Sequence, residues 1–341
     1  MNIVLKRLSA LFIAVLFAGT ALAVTTMVSA QEGQTGSGLR ISPTRSEITL
    51  VPGDSTEVVQ NVKNVTQSPI TVEPSLNDFE SDGVTGIPKL IGDPNEISSY
   101  SLREFISLPE KFDLQPDEEK ELKIAVRTPD NASPGAYFGS VVYRATPQGQ
   151  SGDGQVSLLA SVGSLVLLEV PGDITERISI NSVSAYLNDS AGSLFTKKPD
   201  AIGIEIENLG NSFSQPFGRV TVTDWRGNEV FGYELNDTLP RGVILPESTR
   251  LFLDELYDVE VKNINGQEQI EKTSPLKWPG RYKVQGFISH SLSGEIFNVS
   301  TTFWYIPTWL IIVVVVILAV IVFGAYYLYR KYITKSTRRR K

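Results

Sequence analysis

The sequence predicts an all-β protein: two immunoglobulin-like β-sandwich domains followed by one transmembrane helix. Three observations predict it. Short runs alternate apolar and polar residues, as in Ile202, Ile204 and Ile206 around Gly203 and Glu205, and are broken by Pro, Gly, Asn and Asp. Turn motifs recur across the two halves at a nearly constant offset. Near the C-terminus an uncharged run, Trp309–Leu328, covers 20 residues, about 30 Å of helix and so the thickness of a bilayer's hydrocarbon core.

At the N-terminus, Lys6 and Arg7 precede an apolar run from Leu8 to Val24 and then small residues. Residues 1–30 therefore read as a secretory signal cut after Val28-Ser29-Ala30, with Ala21-Leu22-Ala23 as the second choice and an uncleaved anchor as the alternative. A flexible linker, 31–38, follows. The first sandwich is expected over 39–172 and the second over 173–306, with Pro171-Gly172-Asp173 between them. The span is placed at 307–329. Residues 330–341 form a tail with Arg330, Lys331, Lys335, Arg338, Arg339, Arg340 and Lys341 and no acid. Such a flank stays cytoplasmic, which predicts a single-pass type I membrane protein. Trp304, Tyr305 and Trp309 at one end, and Tyr326, Tyr327 and Tyr329 at the other, fit aromatic belts.

Between signal and span lie all 38 acids and 22 of the 31 bases, a net of about −16. That balance disfavours nucleic acid and anionic surfaces as partners. With 0 cysteines, disulfide stapling, thiol catalysis and thiolate metal sites are excluded. The single histidine, His290, rules out a His-rich zinc centre and is expected as a solvated or hairpin residue. No cofactor or metal is predicted.

Within the first half, Leu122, Ile124 and Val126 alternate with Lys123 and Ala125. A loop at Pro147–Gly154 precedes an apolar strand, Val156–Val170, expected at the centre of a sheet. The Asn64 and Asn208 strand ends lie 144 residues apart. Pro134-Gly135 with Tyr137, and Pro279-Gly280 with Tyr282, lie 145 apart. Proline fixes φ, glycine accepts positive φ, and the following tyrosine can cap a loop as at a tyrosine corner. Leu114–Glu118 and Leu245–Thr249 precede these turns in the two halves.

Two insertions break the rhythm, Asn77–Ser107 and Asp254–Leu276. Long loops in compact domains are often functional. The first carries Tyr100, Leu102, Phe105 and Ile106, with a short helix expected near Tyr100–Ile106; these residues either pack down or face a partner. The second carries Tyr257 and Val259 and reads as a hairpin with Asn265-Gly266 at its tip. Tyr100, Leu102, Phe105, Tyr257 and Val259 are the candidate binding residues. Asn77–Gly83 is not an EF-hand, because position twelve from Asp78 is Lys89; a solvated turn is the expectation there, with a looser calcium site as the alternative. Carboxylate pairs such as Asp117-Glu118-Glu119, Asp254-Glu255, and Asp258 with Glu260 are read as solvated charge. Asn-x-Ser/Thr occurs at Asn64, Asn131, Asn188, Asn236 and Asn298.

The first half opens with Ile41-Ser42-Pro43 and Leu50-Val51-Pro52-Gly53-Asp54-Ser55, then Val58 to Asn64. It runs to Pro129-Asp130-Asn131-Ala132-Ser133-Pro134-Gly135-Ala136-Tyr137-Phe138-Gly139. With the order of signal, two sandwiches, span and basic tail, the chain resembles WxL-interacting surface proteins of Gram-positive-type bacteria. The first half is also similar to pilus-chaperone and sperm-protein-like sandwiches. The resemblance implies a non-enzymatic role, with one domain for peptidoglycan and one for a partner protein. The predicted function is membrane-anchored surface binding, to cell-wall polymer or another surface protein. Two alternatives remain: a membrane-tethered chaperone-like assembly factor for exported subunits, and a carboxylate-dependent extracellular hydrolase.

Overall fold

A computed structural model describes residues 38–92, 96–148, 160–264, 267–290 and 294–338. The predicted signal, most of the Pro147–Gly154 loop, residues 156–159 and the Asn265-Gly266 tip lie outside the described residues.

The first half contains β1 (Leu39–Ser42), β2 (Arg45–Thr49), β3 (Ser55–Asn64), β4 (Ile70–Asn77), β5 (Phe79–Ser81), β6 (Pro88–Leu90), β7 (Ile106–Ser107), β8 (Phe112–Leu114), β9 (Glu119–Arg127), β10 (Gly135–Pro147) and β11 (Ala160–Val170). Two sheets face each other, in the orders β1-β3-β9-β7 and β2-β11-β10-β4-β8. Alternation decides what is buried: on β9, Leu122, Ile124 and Val126 face inward while Lys123 and Ala125 face water. They pack with Val58, Val62, Val141, Tyr143, Val166 and Leu168. Each such side chain contributes about 1.5–3 kcal/mol of burial. Strand β11 is interior to its sheet, held by β10 on one side and by β2, in parallel, on the other, and only Gly163 interrupts its apolar stretch Val162–Leu168 apart from Ser164.

The second half contains β12 (Ile178–Leu187), β13 (Ser190–Gly192), β14 (Leu194–Phe195), β15 (Ala201–Asn208), β16 (Phe217–Thr223), β17 (Glu229–Leu235), β18 (Thr249–Glu255), β19 (Asp258–Ile264), β20 (Gln267–Thr273), β21 (Gly280–Ser289) and β22 (Ile296–Tyr305). Its sheets run β13-β12-β15-β18 and β14-β22-β21-β16-β17. Ile202, Ile204 and Ile206 meet Val220, Val222, Tyr282, Val284 and Phe303 in its core. Each insertion carries a two-stranded hairpin, β5–β6 and β19–β20.

The repeated motifs build the same local structure twice. Asn64 and Asn208 are buried. The Asn64 amide donates to the carbonyls of Ser68 (2.9 Å) and Leu114 (3.3 Å), and Asn208 to those of Ser212 (2.7 Å) and Ile244 (3.1 Å). Their backbone N–H groups donate to Glu118 and Ser248 carbonyls, each at 2.9 Å. The turns beneath them place Asp117 (φ 60°) and Glu247 (φ 53°) in the left-handed region. Tyr137 donates its hydroxyl to the Ser133 carbonyl at 3.0 Å, and Tyr282 to that of Trp278 at 2.5 Å.

Four expectations are corrected. Tyr100–Ile106 forms turns and a β-bridge rather than a helix, because Ser98 and Ser101 hydroxyls accept backbone N–H groups that a helix would use. His290 follows β21 in the connection to its antiparallel neighbour β22, as the hairpin expectation has it, but it is 2% exposed, next to Glu176 at 3.4 Å, and so not solvated. Within Asn77–Gly83, Asp82 and Gly83 lie in an exposed turn, but Asp78 is fully buried rather than solvated. Asp254 is not solvated charge either: burial, then Asp237, pushes its pKa up to about 6.

From Tyr305 two residues lead into α1 (Thr308–Arg338). Over Thr308–Arg330, 23 residues with mean hydropathy 3.1, the helix is long and apolar enough to cross a membrane, and no part of that stretch is covered by the rest of the protein.

Candidate binding cleft at the sandwich junction

Strand β10 has two faces. Val141 and Tyr143 enter the first core, while Phe138 points outward to a third apolar cluster with Phe79, Leu167 and Val243, flanked by Tyr100, Phe213 and Leu245. This cluster draws on both halves of the chain and forms the junction. Phe138 is tilted against Phe79 at 4.9 Å, stacked on Tyr100 at 5.4 Å and near Phe213 at 6.1 Å.

The first insertion is clasped over this cluster by one buried carboxylate. Asp78 accepts the Ser101 hydroxyl at 2.7 Å and is ion-paired with Arg103 Nε at 3.2 Å. The Asp78 carbonyl accepts the Ile91 N–H at 2.9 Å. The Phe138 N–H then donates to the Tyr100 carbonyl at 2.8 Å. A buried charge persists only when paired and hydrogen-bonded in this way. At the hairpin tip, Asp82 is held low, at about 2, chiefly by the Thr85 hydroxyl and then by the Val84 and Gly86 N–H groups. The tip reaches the second sandwich, where the Val84 carbonyl accepts the Leu251 N–H of edge strand β18 at 2.6 Å. Gly86 lies against Arg250; a Cβ there would come 2.6 Å from Arg250 Cδ.

Polar contacts complete the junction. The Ala136 N–H donates to the Asn211 carbonyl at 2.9 Å, and the Asn211 side-chain oxygen accepts the Thr175 N–H at 2.8 Å. Arg45 donates to the Arg241 carbonyl at 2.7 Å and pairs with Glu47 at 2.7 Å. Ser212 donates to Glu169. Burial, then Arg45, lowers the Arg250 pKa.

Between the insertion and the Leu245–Thr249 loop opens a cleft of 540 Å³. Its floor is Phe79, Tyr100 and Phe138; its walls carry Glu80, Glu96 and Glu247 with Ser81, Ser98, Ser248 and Thr249. Glu80 is paired across the hairpin with Lys89 at 2.7 Å; among the described residues, no base is itself a wall residue. Burial, then the Glu247 carboxylate, raises the Tyr100 pKa. Phe79 and Phe138 are buried, so the aromatic surface the cleft offers is that of Tyr100, beside the Glu96 and Glu247 acceptors. Those suit a ligand rich in hydroxyl, ammonium or other donor groups.

Of the sequence-derived candidates, Tyr100 lines this cleft. Leu102 (0% exposed) and Phe105 (8%) pack down into the first core, so they are unavailable to a partner. Tyr257 belongs elsewhere, to a 580 Å³ concavity at the opposite end of the second sandwich. There Lys272 lies over its ring at 4.0 Å and pairs with Glu255 at 2.7 Å. Val259 is exposed on the β19–β20 hairpin, with Val261 and Ile270. Pro134, Gly135, Tyr137, Pro279, Gly280 and Tyr282 occupy the two corner turns. Sequence reasoning missed Glu247 and Phe138 as cleft residues. Glu247 lies in the repeated Leu-Pro motif, but only the docking of the two halves brings it to Tyr100. Among the described residues no cluster of three or more metal-ligating side chains occurs.

No protein-family model and no curated protein sequence matches the chain. Among solved structures it is similar to the class 5 fimbriae chaperone CfaA, at 13% identity over 79% of this chain and 100% of that one, with a TM-score of 0.36. It is also similar to the E. coli chaperone DraB, at 15% identity over 80% of this chain and 97% of that one, TM-score 0.33. For the Pseudomonas aeruginosa CupB2 chaperone the values are 12%, 77% and 100%, TM-score 0.34. At these values the likeness assigns no role to the chain.

Proposed function

We propose that this chain is a membrane-anchored binding protein of the cell surface and that the junction cleft is its ligand site. One observation carries the reading: the half-buried Tyr100 ring, backed by the buried Phe138 ring, faces a cleft whose walls carry Glu96 and Glu247, with Glu80 beside them paired to Lys89 at 2.7 Å. Rings stack on the apolar face of a sugar or a peptide, and the carboxylates accept from its donors. Cell-wall polymer, the ligand that the WxL-interacting resemblance implies, and a basic segment of a surface protein both present that chemistry. The apolar helix holds the sandwiches outside, and the basic tail stays inside. Tethering raises the cleft's effective concentration against neighbouring surface components. A hydrolase is not favoured, because the one carboxyl among the described residues with a strongly raised pKa, Asp254, does not line the cleft.

A second reading, a chaperone-like assembly factor working by strand addition, is favoured by the outer strands β8 and β17 and by the arginines near the junction. Arg45 is already paired with Glu47, and Arg250 lies under Gly86, so that role requires the β5–β6 hairpin to lift. The test is retention of the full-length chain, in detergent micelles, on purified cell wall and on separated envelope proteins, beside Tyr100→Ala and Glu247→Gln. Retention lost in both variants supports the cleft. Retention on an exported envelope protein that survives both variants supports the second reading. Retention on neither material overturns both.

A further inference from the structure

Tryptophan is usually largely buried, yet all four tryptophans here are exposed: Trp225 60%, Trp278 68%, Trp304 46% and Trp309 57%. Trp309 belongs to the apolar helix. The other three come from separate places in the chain, and the fold gathers them at one pole of the second sandwich. Trp225 is in the turn between β16 and β17, and lies against Gly280, where a Cβ would come 2.9 Å from its ring. Trp278 is two residues before Gly280, outside the start of β21. Gly280 pairs with Tyr305, and Trp304 with Arg281.

That pole is where the helix begins. Only Ile306 and Pro307 separate β22 from α1. The connector is tied down, with Ile306 N–H donating to the Phe195 carbonyl at 2.8 Å and Trp304 N–H to Ser193 at 2.7 Å. The pole therefore cannot swing far from wherever the helix is seated. Exposed cations share it: Lys197, Lys198, Arg226, Lys277 and Arg281. Arg226 lies over the Trp225 ring at 4.6 Å. Of the acids there, Asp224 turns back to accept the Arg226 and Asn228 N–H groups at 2.8 and 2.9 Å, Asp200 accepts the Asn188 N–H at 3.1 Å, Glu229 is paired with Arg219 at 3.4 Å and Glu255 with Lys272 at 2.7 Å, and Asp189 lines the same concavity as Lys198. Tryptophan with flanking cations is the composition that settles at the headgroup level of a bilayer.

We propose that this pole is a lipid-docking surface: Trp225, Trp278 and Trp304 enter the outer headgroup region of the bilayer that the chain's own helix spans. The inference rests on the membrane-anchor reading above. Docking fixes the second sandwich upright, with the first sandwich and the junction cleft at the pole remote from lipid. The surface is thus an exception to the acidity of the exported part.

The test uses the full-length chain in vesicles of phosphatidylcholine and phosphatidylglycerol with brominated acyl chains, which quench tryptophan by contact. Three variants keep one tryptophan each, the others being Phe: Trp309 alone, Trp278 alone and Trp225 alone. The expected result is loss of emission in all three relative to unbrominated vesicles. Loss for Trp309 alone, with Trp278 and Trp225 unaffected, overturns docking and leaves the anchor standing. No loss for Trp309 removes the anchor and the docking with it. A second measurement avoids the tryptophan changes: a nitroxide on Lys277→Cys is expected to be more accessible to oxygen than to an aqueous nickel complex, and one on Thr85→Cys the reverse. Equal aqueous exposure at both sites contradicts docking.

Discussion

Asp254 should make the second sandwich less stable as the pH rises. Burial is the larger cause of its raised pKa, and the Asp237 carboxylate adds to it, so the folded value is about 6 against an ordinary 3.8. A folded pKa above the unfolded one means that the native state holds its proton longer. Its contribution to stability is therefore fully present below pH 4, is lost between about pH 4 and 6, and changes no further above. At about 1.4 kcal/mol per unit the shift corresponds to about 3 kcal/mol. Water reaching a half-buried carboxyl reduces that to about 1.5–3 kcal/mol. Asp254→Asn keeps the shape and removes the charge. It should match the native protein at pH 4 and exceed it by about 1.5–3 kcal/mol at pH 7.5. Urea unfolding followed by tryptophan emission is the assay, because every tryptophan lies at or beyond Trp225 and so reports on the second sandwich and the helix. If the native protein and Asp254→Asn show the same dependence on pH between 4 and 7.5, the assignment of the buried charge is wrong.

Three further outcomes follow from the packing. Phe138→Ala removes the ring at the centre of the junction cluster and should cost about 3–5 kcal/mol by denaturant unfolding of the first sandwich. Trypsin should then cut at the junction faster than in the native protein. Asn64→Ala and Asn208→Ala should each cost about 1–3 kcal/mol, because each leaves buried carbonyls without donors; unequal losses, with one near zero, contradict the equivalence of the two motifs. Tyr282→Phe removes the bond to the Trp278 carbonyl and should cost about 1 kcal/mol, measured by thermal unfolding.

The sandwich plan was legible because its rules are local. Alternation at Ile202–Ile206 and Leu122–Val126 reports burial directly, since a strand turns alternate side chains to opposite faces. Asn64 with Asn208, and Tyr137 with Tyr282, were legible for the same reason: each bonds a turn within four residues of itself, although Asn64 and Asn208 also reach Leu114 and Ile244. What escaped was set by the docking of the halves. Asp78 reads as loop acid until Ser101 and Arg103, more than 20 residues on, close around it. Asp254 follows three apolar residues, Leu251–Leu253, whose run does not say which face is buried, and only the fold puts it on the side of Phe252, near Tyr233 and Asp237. Leu102 and Phe105 carry no mark that separates a core anchor from a contact residue. The tryptophan pole was half visible, in Trp304 and Trp309; Trp225 and Trp278 join it only through the register of β16, β21 and β22.

The orientation of the chain across a membrane is the premise beneath the cleft and the docked pole. Because the sequence has no cysteine, a single one reports without background. Thr85→Cys, on the hairpin tip, and Ser336→Cys, in the tail, can each be treated on intact cells with a membrane-impermeant maleimide. The expected result is labelling at 85 in intact cells and at 336 only after permeabilisation; labelling at 336 in intact cells with 85 protected would contradict the account.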